Sequence, residues 1–374
     1  MIAQVASKQS ISIKGPSGYH HSLGSSPSCT LLLYLFHQGN IMAPFIPLKA
    51  RIQLGLFSFV SGRAIGSDDR VNRRLLSWLE PLVPADPNPK AGVCSADVMI
   101  DSTRDLFVRI FVPTDPSNEE KAEKLPLVIY FHGGGFAFFS PQSAAYDDWG
   151  RRMCSGLHAV IVSVNYRRSP ENRCPAPYDD GIDVLRFLDS GGLRSVDILS
   201  GFDVGLGNCF LAGDTSGGNI VHHIARRWAA MIDSWEKINI SGAIPITPMF
   251  GGEERTDGDI QNQNLPVLTM QRMDWYWKVI LPEGADRNHE FAHPFGVTTK
   301  LEERCPPVLV VAAGYDILRD WQLKYYEWLN EMQHNVRLLK FPDSFHAFYL
   351  YRQCEEWVKL IDEMNKFIEE HRSL

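Results

Sequence analysis

Six runs of continuous apolar, largely β-branched residues recur along the second two-thirds of the chain. They are PLVIYFHGG (126–134), AVIVSVNY (159–166), CFLAG (209–213), SGAIPIT (241–247), PPVLVVAAG (306–314) and VRLLKF (336–341). Runs that are apolar throughout, rather than alternating, are the pattern of strands covered on both faces. Helical spacing fills the intervals at 179–189, 217–231 and 320–333, and the chain closes in CEEWVKLIDEMNKFIEEH (354–371), an amphipathic helix. Strands alternating with helices predict an α/β fold with a mostly parallel central sheet and helices on both faces. Ahead of it, SADVMID (95–101) and LFVRIFVP (106–113) read as a strand pair. Further upstream, Leu54, Leu56, Phe57 and Phe59, then Leu75, Leu76, Trp78 and Leu79, recur at helical intervals. They predict two short amphipathic helices within about 42–85, ahead of the main fold and placed to lie over something. Residues 1–41 are rich in Ser, Gly and His and show no period, so a disordered extension is expected there. Met42 is the expected natural start of a single domain running from 42 to 374.

Composition narrows the function classes. At 44% hydrophobic and 22% charged residues the chain has the material for a large core, and its 374 residues suit one large α/β domain. Acids outnumber bases 44 to 37, for a formal charge of −7, which gives no reason to expect nucleic acid as a partner. The apolar run LLLYLF (31–36) falls far short of the roughly 18 residues a membrane span needs, so no membrane partner is expected. Seven cysteines, an odd number without a C-x-x-C pair, point to reduced thiols. The expected compartment is the cytoplasm, with the nucleus as a further one.

The candidate chemistry centres on LAGDTSGGNI (211–220), a strand, a tight turn and a helix start. The frame Gly213-Asp214-Thr215-Ser216-Gly217 has the form of a nucleophile elbow with Thr215 in the reactive place. Gly213, Gly217 and Gly218 allow strand and helix to approach closely. Upstream, His132-Gly133-Gly134-Gly135 follows a strand and supplies backbone N–H groups for an oxyanion hole. The expected donors are the amides of Gly133, Gly134 and Ser216. Acid and base should follow the nucleophile in that order. Asp316 lies just past one strand and His346 just past the next, where open α/β sheets place their sites. His346 would take the proton of Thr215 and Asp316 would orient the imidazole; Asp320 and Asp343 are weaker candidates for the acid. Threonine keeps the hydroxyl, but its β-branch is stiff at χ1, so the hydroxyl is expected to point off line at a strained corner. HEFAH (289–293) matches a zinc-protease pattern, but the prolines and glycine around it argue against the stable helix that pattern needs, so no metal is expected. His222 and His223 read as surface or packing residues.

FHGGGFAFFSP, VSVNYRRSPENRCPAPYDDG, AGDTSGGNI, FGGEERT, LPEGADRNH and GYDILRDWQLKYYEWL together resemble the plant carboxylesterases of the hormone-sensitive-lipase-like group, which includes the gibberellin receptors. The resemblance runs from about residue 45 to the C-terminus. It implies an α/β-hydrolase fold, an N-terminal lid, no cofactor, and a small-molecule ester, lactone or related metabolite as partner. Two departures stand out. The group usually has Tyr-Arg-Leu-Ala-Pro-Glu-His where this chain has Tyr166-Arg167-Arg168-Ser169-Pro170-Glu171-Asn172, and Ser where this chain has Thr215. In gibberellin receptors an apolar residue replaces the base, whereas His346 is present here. Legume 2-hydroxyisoflavanone dehydratases of the same group carry Thr at the elbow. The expected function is therefore a carboxylesterase-like hydrolase, with a dehydratase or cyclase as the alternative and a receptor-like binding protein as the second.

Overall fold

The computed structural model describes residues 11–14, 20–23, 45–77, 80–114, 124–263, 265, 268–297 and 300–372. Strands β1 (Ile11–Lys14) and β2 (His20–Leu23) form an antiparallel pair where the sequence shows no period. The rest of the 1–41 extension lies outside the described residues.

The first helix, α1 (Leu48–Ala64), is a single element of 17 residues, longer than the short helix expected. It is followed by α2 (Arg73–Ser77); Trp78 and Leu79 lie outside the described residues. Its apolar residues do not share one face. Ala50 and Leu54 are buried, while Leu48, Ile52 and Leu56 are exposed.

The central sheet follows the predicted order of runs. β3 (Val93–Asp101) and β4 (Leu106–Pro113) form the antiparallel pair. Then come β5 (Leu125–Phe131), α3 (Ala144–Leu157), β6 (Val160–Val164), α4 (Ala176–Asp189), β7 (Val204–Asp214), α5 (Ser216–Ala230) and β8 (Ile240–Ile246). Three shorter helices, α6 (Asp257–Gln261), α7 (Met270–Ile280) and α8 (Pro294–Val297), precede β9 (Val308–Tyr315), α9 (Arg319–Glu331), β10 (Val336–Phe345) and α10 (Glu356–His371). The eight strands lie in the order β10-β9-β8-β7-β5-β6-β4-β3. Pairings from β10 through β6 are parallel, and β4 is antiparallel to both β6 and β3. Every residue of β5, β6 and β8 is buried, which is why these runs carry no polar alternation. Two apolar clusters cover the faces, one including Ile224 and Leu185, the other Trp149, Phe210 and Phe367.

The topology positions the site. From β5 the chain crosses to β6 on one side and then returns to β7 on the other. Adjacent parallel strands whose connections leave in opposite directions open a crevice at their C-terminal ends. Here that crevice lies between the end of β5, which leads into His132-Gly133-Gly134-Gly135, and the end of β7, which leads into Thr215; Phe131 and Gly213 are register partners.

The described cysteines 94, 154, 174, 209, 305 and 354 are all free. Among the described residues no helix is long and apolar enough to cross a membrane.

Candidate active site

The turn between β7 and α5 holds Thr215 at φ 53°, ψ −109°, a backbone region that a β-branched residue occupies only under strain. Its surroundings fix it. Thr215 N–H donates to Ile246 O (2.9 Å), and Thr215 O accepts from Met249 N–H (2.8 Å) and Asn219 N–H (3.2 Å). Glycine is required beside it, because a Cβ on Gly217 would lie 1.8 Å from Phe131 O and one on Gly213 would lie 2.5 Å from Gly217 O. A Cβ on Gly218 would lie 3.0 Å from the α-carbon of Pro248.

The three residues read as nucleophile, base and acid meet in one chain of contacts. Thr215 Oγ1 lies 2.8 Å from His346 Nε2, and His346 Nδ1 lies 2.7 Å from Asp316 Oδ2. A carboxylate only accepts, so Nδ1 carries the proton and Nε2 is left to accept from the threonine hydroxyl. All three are buried, Asp316 completely. Asp316 is further held by Leu318 N–H on Oδ1 (2.9 Å) and Gln322 Nε2 on Oδ2 (2.8 Å). The expectation that the β-branch would swing the hydroxyl off line is overturned: the strained backbone and the β-methyl together still deliver Oγ1 to His346. Asp320 is engaged elsewhere, with Arg319 and with Gly258 N–H, and Asp343 is exposed on β10.

One expected oxyanion donor needs correction. Gly133 N–H donates to Asp214 Oδ1 (2.7 Å), with Tyr146 Oη also in range at 2.9 Å, so this amide is committed to the interior. The amides of the next two glycines, Gly134 (φ 109°) and Gly135 (φ 59°), have no acceptor among the described residues. The same holds for Ser216 N–H, which opens α5 and so has no intrahelical acceptor. Gly135, read from sequence only as supporting the motif, therefore takes the place of Gly133 among the free donors. The signal was present but unreadable, because the acceptor that claims Gly133 is 81 residues away.

Asp214 is the residue whose contacts the sequence concealed. Its carboxylate is buried and accepts from Tyr130 Oη (2.7 Å) and Gly133 N–H on Oδ1, and from Tyr146 Oη (2.9 Å) and Tyr349 Oη (3.0 Å) on Oδ2. Burial pushes its pKa up, and the three tyrosine hydroxyls and the nearby His346 pull it back. Such a group is tolerated in a dry interior only because its lone pairs are filled. His132 packs under the same loop. Its ring stacks on Tyr166 at 4.4 Å and Nδ1 lies 2.8 Å from Gly133 O; Tyr166 Oη donates to His132 O (2.7 Å). Burial pushes the His132 pKa down to about 3, so this ring is neutral.

The N-terminal helices lie against the loop that carries the free amides. Phe57 of α1 stacks on Phe139 (5.1 Å) and meets Phe138 edge-on (6.0 Å). Arg272 on α7 donates to Ser58 O and Ser61 Oγ. Arg73 on α2 reaches across to Glu171, Ser169 O and Ala137 O. His289 and His293 of the zinc-like pattern lie in a turn, not on a helix; His289 Nδ1 accepts Phe291 N–H and His293 packs on Trp321. His222 and His223 are buried packing residues of α5.

A sequence profile for the alpha/beta hydrolase fold matches residues 128–350. A gibberellin receptor of Arabidopsis thaliana is 40% identical over 335 residues, covering 86% of this chain and 94% of the receptor. A probable carboxylesterase of the same plant is 35% identical over 286 residues, covering 76% of this chain and 81% of the relative. Among solved structures, an ester-hydrolase from the metagenome of Lake Arreo, complexed with a bipyridine phosphonate derivative, matches with a TM-score of 0.61 and 27% identity, over 77% of this chain and 85% of that one.

Proposed function

Because the chain belongs to the α/β-hydrolase fold family, we propose that it is a carboxylic ester hydrolase that cleaves a small-molecule ester or lactone through Thr215. The observation that carries this reading is the unbroken contact chain from Thr215 Oγ1 to His346 and on to Asp316, at 2.8 Å and 2.7 Å. Thr215 Oγ1 attacks the acyl carbon while His346 Nε2 takes its proton. The carbonyl electron pair moves onto oxygen, where the amides of Gly134, Gly135 and Ser216 stabilise the developing charge. As the tetrahedral species collapses, the C–O bond to the leaving group breaks and His346 returns the proton to the departing alkoxide. Water, deprotonated by the same imidazole, then releases the acid and restores the threonine. Asp316 holds the imidazole in the required tautomer and stabilises the imidazolium as it forms. Helices α1 and α2 act as the lid, supported by the stacking of Phe57 on the loop that bears two of the donor amides.

A second reading, small-ligand binding without turnover, is favoured by the 40% identity to a gibberellin receptor. Turnover separates the two. With p-nitrophenyl acetate, the wild-type protein should release many equivalents of nitrophenol per chain. Thr215→Ala and His346→Ala should each lose at least about a thousandfold in kcat, the scale at which removing a nucleophile or its base acts. A wild-type protein that releases no more than its Thr215→Ala variant is a binding protein or a lyase, not an esterase.

A further inference from the structure

Four donors from four different segments converge on the Asp214 carboxylate. Tyr130 sits on β5, Gly133 on the loop after it, Tyr146 on α3, and Tyr349 in the turn three residues past His346. Asp214 itself is the residue before Thr215. Nucleophile turn, base turn and oxyanion loop thus share one anchor. We infer that Asp214 is a positioning residue, whose carboxylate sets the spacing between Thr215, His346 and the amides of Gly134 and Gly135. This inference rests on the esterase reading and adds a residue that makes no contact with the reacting atoms.

The geometry argues for positioning over simple packing. Gly133 N–H donates to Oδ1, so this amide is taken before the chain turns. It does so through Gly134 and Gly135, both at positive φ. The carboxylate lies so close under the loop that a Cβ on Gly133 would come within 2.4 Å of Asp214 Oδ2 and 2.7 Å of Tyr146 Oη. On the base side, Tyr349 Oη bonds Oδ2 at 3.0 Å and lies 3.4 Å from Thr247 Oγ1, tying the His346 turn to the strand end beside the elbow. Trp149 Nε1 donates to Tyr130 Oη (3.0 Å), which fixes the direction of that hydroxyl toward Oδ1. Without the carboxylate, the hydroxyls of Tyr130 and Tyr146 lose their acceptor in a closed interior, Gly133 N–H keeps only Tyr146 Oη and Tyr349 Oη only the longer contact with Thr247, and the segments that bear them shift to compensate.

The test uses the full-length protein, its Asp214→Asn and Tyr349→Phe variants, p-nitrophenyl acetate as substrate, and phenylboronic acid as a tetrahedral mimic that adds to the hydroxyl of Thr215. Asn keeps the shape but cannot accept on both ends; Phe removes one hydroxyl and keeps the ring. A positioning role predicts that Asp214→Asn lowers kcat by about a hundredfold with KM within about threefold, since misplacement on the ångström scale acts on the transition state. Boronate affinity should fall in parallel with kcat. Tyr349→Phe should lower kcat about fivefold to tenfold while its thermal midpoint stays within about 3 °C of wild type, the reach of a single weakened contact in a domain this size. A packing role moves the midpoint and leaves kcat per folded molecule and boronate affinity unchanged; that result in either variant overturns the inference. If Asp214→Asn does not fold, Tyr130→Phe, which removes a donor to Oδ1 on a strand away from the reacting hydroxyl, decides in its place by the same readouts. Wild-type protein that neither hydrolyses the ester nor binds the boronate overturns the esterase reading and this inference with it, whereas active wild type with an unimpaired Asp214→Asn overturns only the inference.

Discussion

At the elbow, the backbone of Thr215 is held at φ 53°, ψ −109° by three main-chain hydrogen bonds, although its side chain disfavours that region. Strain of this kind costs about 1–3 kcal/mol and persists only where the surroundings over-determine it. Serine lacks the β-methyl and has more freedom there, so Thr215→Ser should raise the thermal midpoint. Its effect on hydrolysis should be small. Oγ1 already lies 2.8 Å from His346 Nε2, so the substitution relieves crowding around the acyl carbon without improving placement. The expected gain in kcat on p-nitrophenyl acetate is less than about tenfold, or 1.4 kcal/mol of barrier. A much larger gain would mean that the methyl obstructs attack, and would point to a native reaction in which Thr215 is not the nucleophile. The residues of this site were legible from sequence because each sits in a local signature: the Gly-rich turn, the HGGG run, and an Asp and a His just past consecutive strands. What stayed hidden was the use of Gly133. Its partner Asp214 and the hydroxyls of Tyr130, Tyr146 and Tyr349 lie far apart in sequence, and the tyrosines sit among apolar residues where nothing distinguishes a core aromatic from a hydrogen-bond donor.

Among the elements, the strands were read from continuous apolar runs and their identity followed directly, while their ends did not. β7 begins at Val204, five residues ahead of the run at 209–213, because Val204 pairs with Leu125 ahead of a register shift, while Gly205 and Gly207 interrupt the apolar pattern. Helix α1 was harder. Its apolar residues serve two purposes: Leu54 and Ala50 enter the core, Phe57 covers the aromatic pair Phe138 and Phe139, and Leu48, Ile52 and Leu56 face outward. No single helical face results, so periodicity could mark a helix but not its length. These helices are attached by apolar contacts, through Leu54 and Phe57 on α1 and Leu76 on α2, and by a set of arginine hydrogen bonds. Arg73 is the main one on α2, with a two-pronged pairing to Glu171 (3.0 and 2.5 Å) and a bond to Ser169 O (2.7 Å). If α1 and α2 cover the ligand, Arg73→Ala should raise KM about fivefold to tenfold with kcat nearly unchanged, the mark of lost uniform binding. Arg73→Lys should not restore it, since an ammonium cannot reproduce the fork. A chain beginning at Met42 should keep wild-type KM, whereas one beginning at residue 70 should lose ligand affinity. Equal kinetics from both truncations would remove the lid assignment.

For the molecule as a whole, the sheet order places the crevice, and the core around it shapes how stability responds to pH. His132, His222 and His223 are buried, and burial pushes all three pKa values down, those of His132 and His223 to about 3. His222 faces Arg226, beside His223 and His334, and His223 faces Arg226 and Arg227, beside His289, so the guanidinium charges add to the effect. A histidine depressed in the folded state stays neutral while the unfolded chain takes up a proton below its ordinary value of about 6.5. Its contribution is therefore present in full above that pH and is lost as pH falls toward the folded value, at about 1.4 kcal/mol per pH unit for each ring. Asp214 and Glu80 oppose this, since burial pushes their carboxyls up and the folded state then takes up protons first. The net slope mixes the two, but a difference between variants isolates one ring. His223 is well suited, because it lies outside the Thr215–His346–Asp316 chain and its Nε2 has no partner among the described residues. His223→Gln should flatten the fall of unfolding free energy between pH 6 and 4 by about 1.4 kcal/mol per unit, read from urea midpoints at half-unit steps. Parallel curves for variant and wild type would mean that His223 takes up its proton within the folded protein, and that the interior beside α5 admits a charge that its packing forbids.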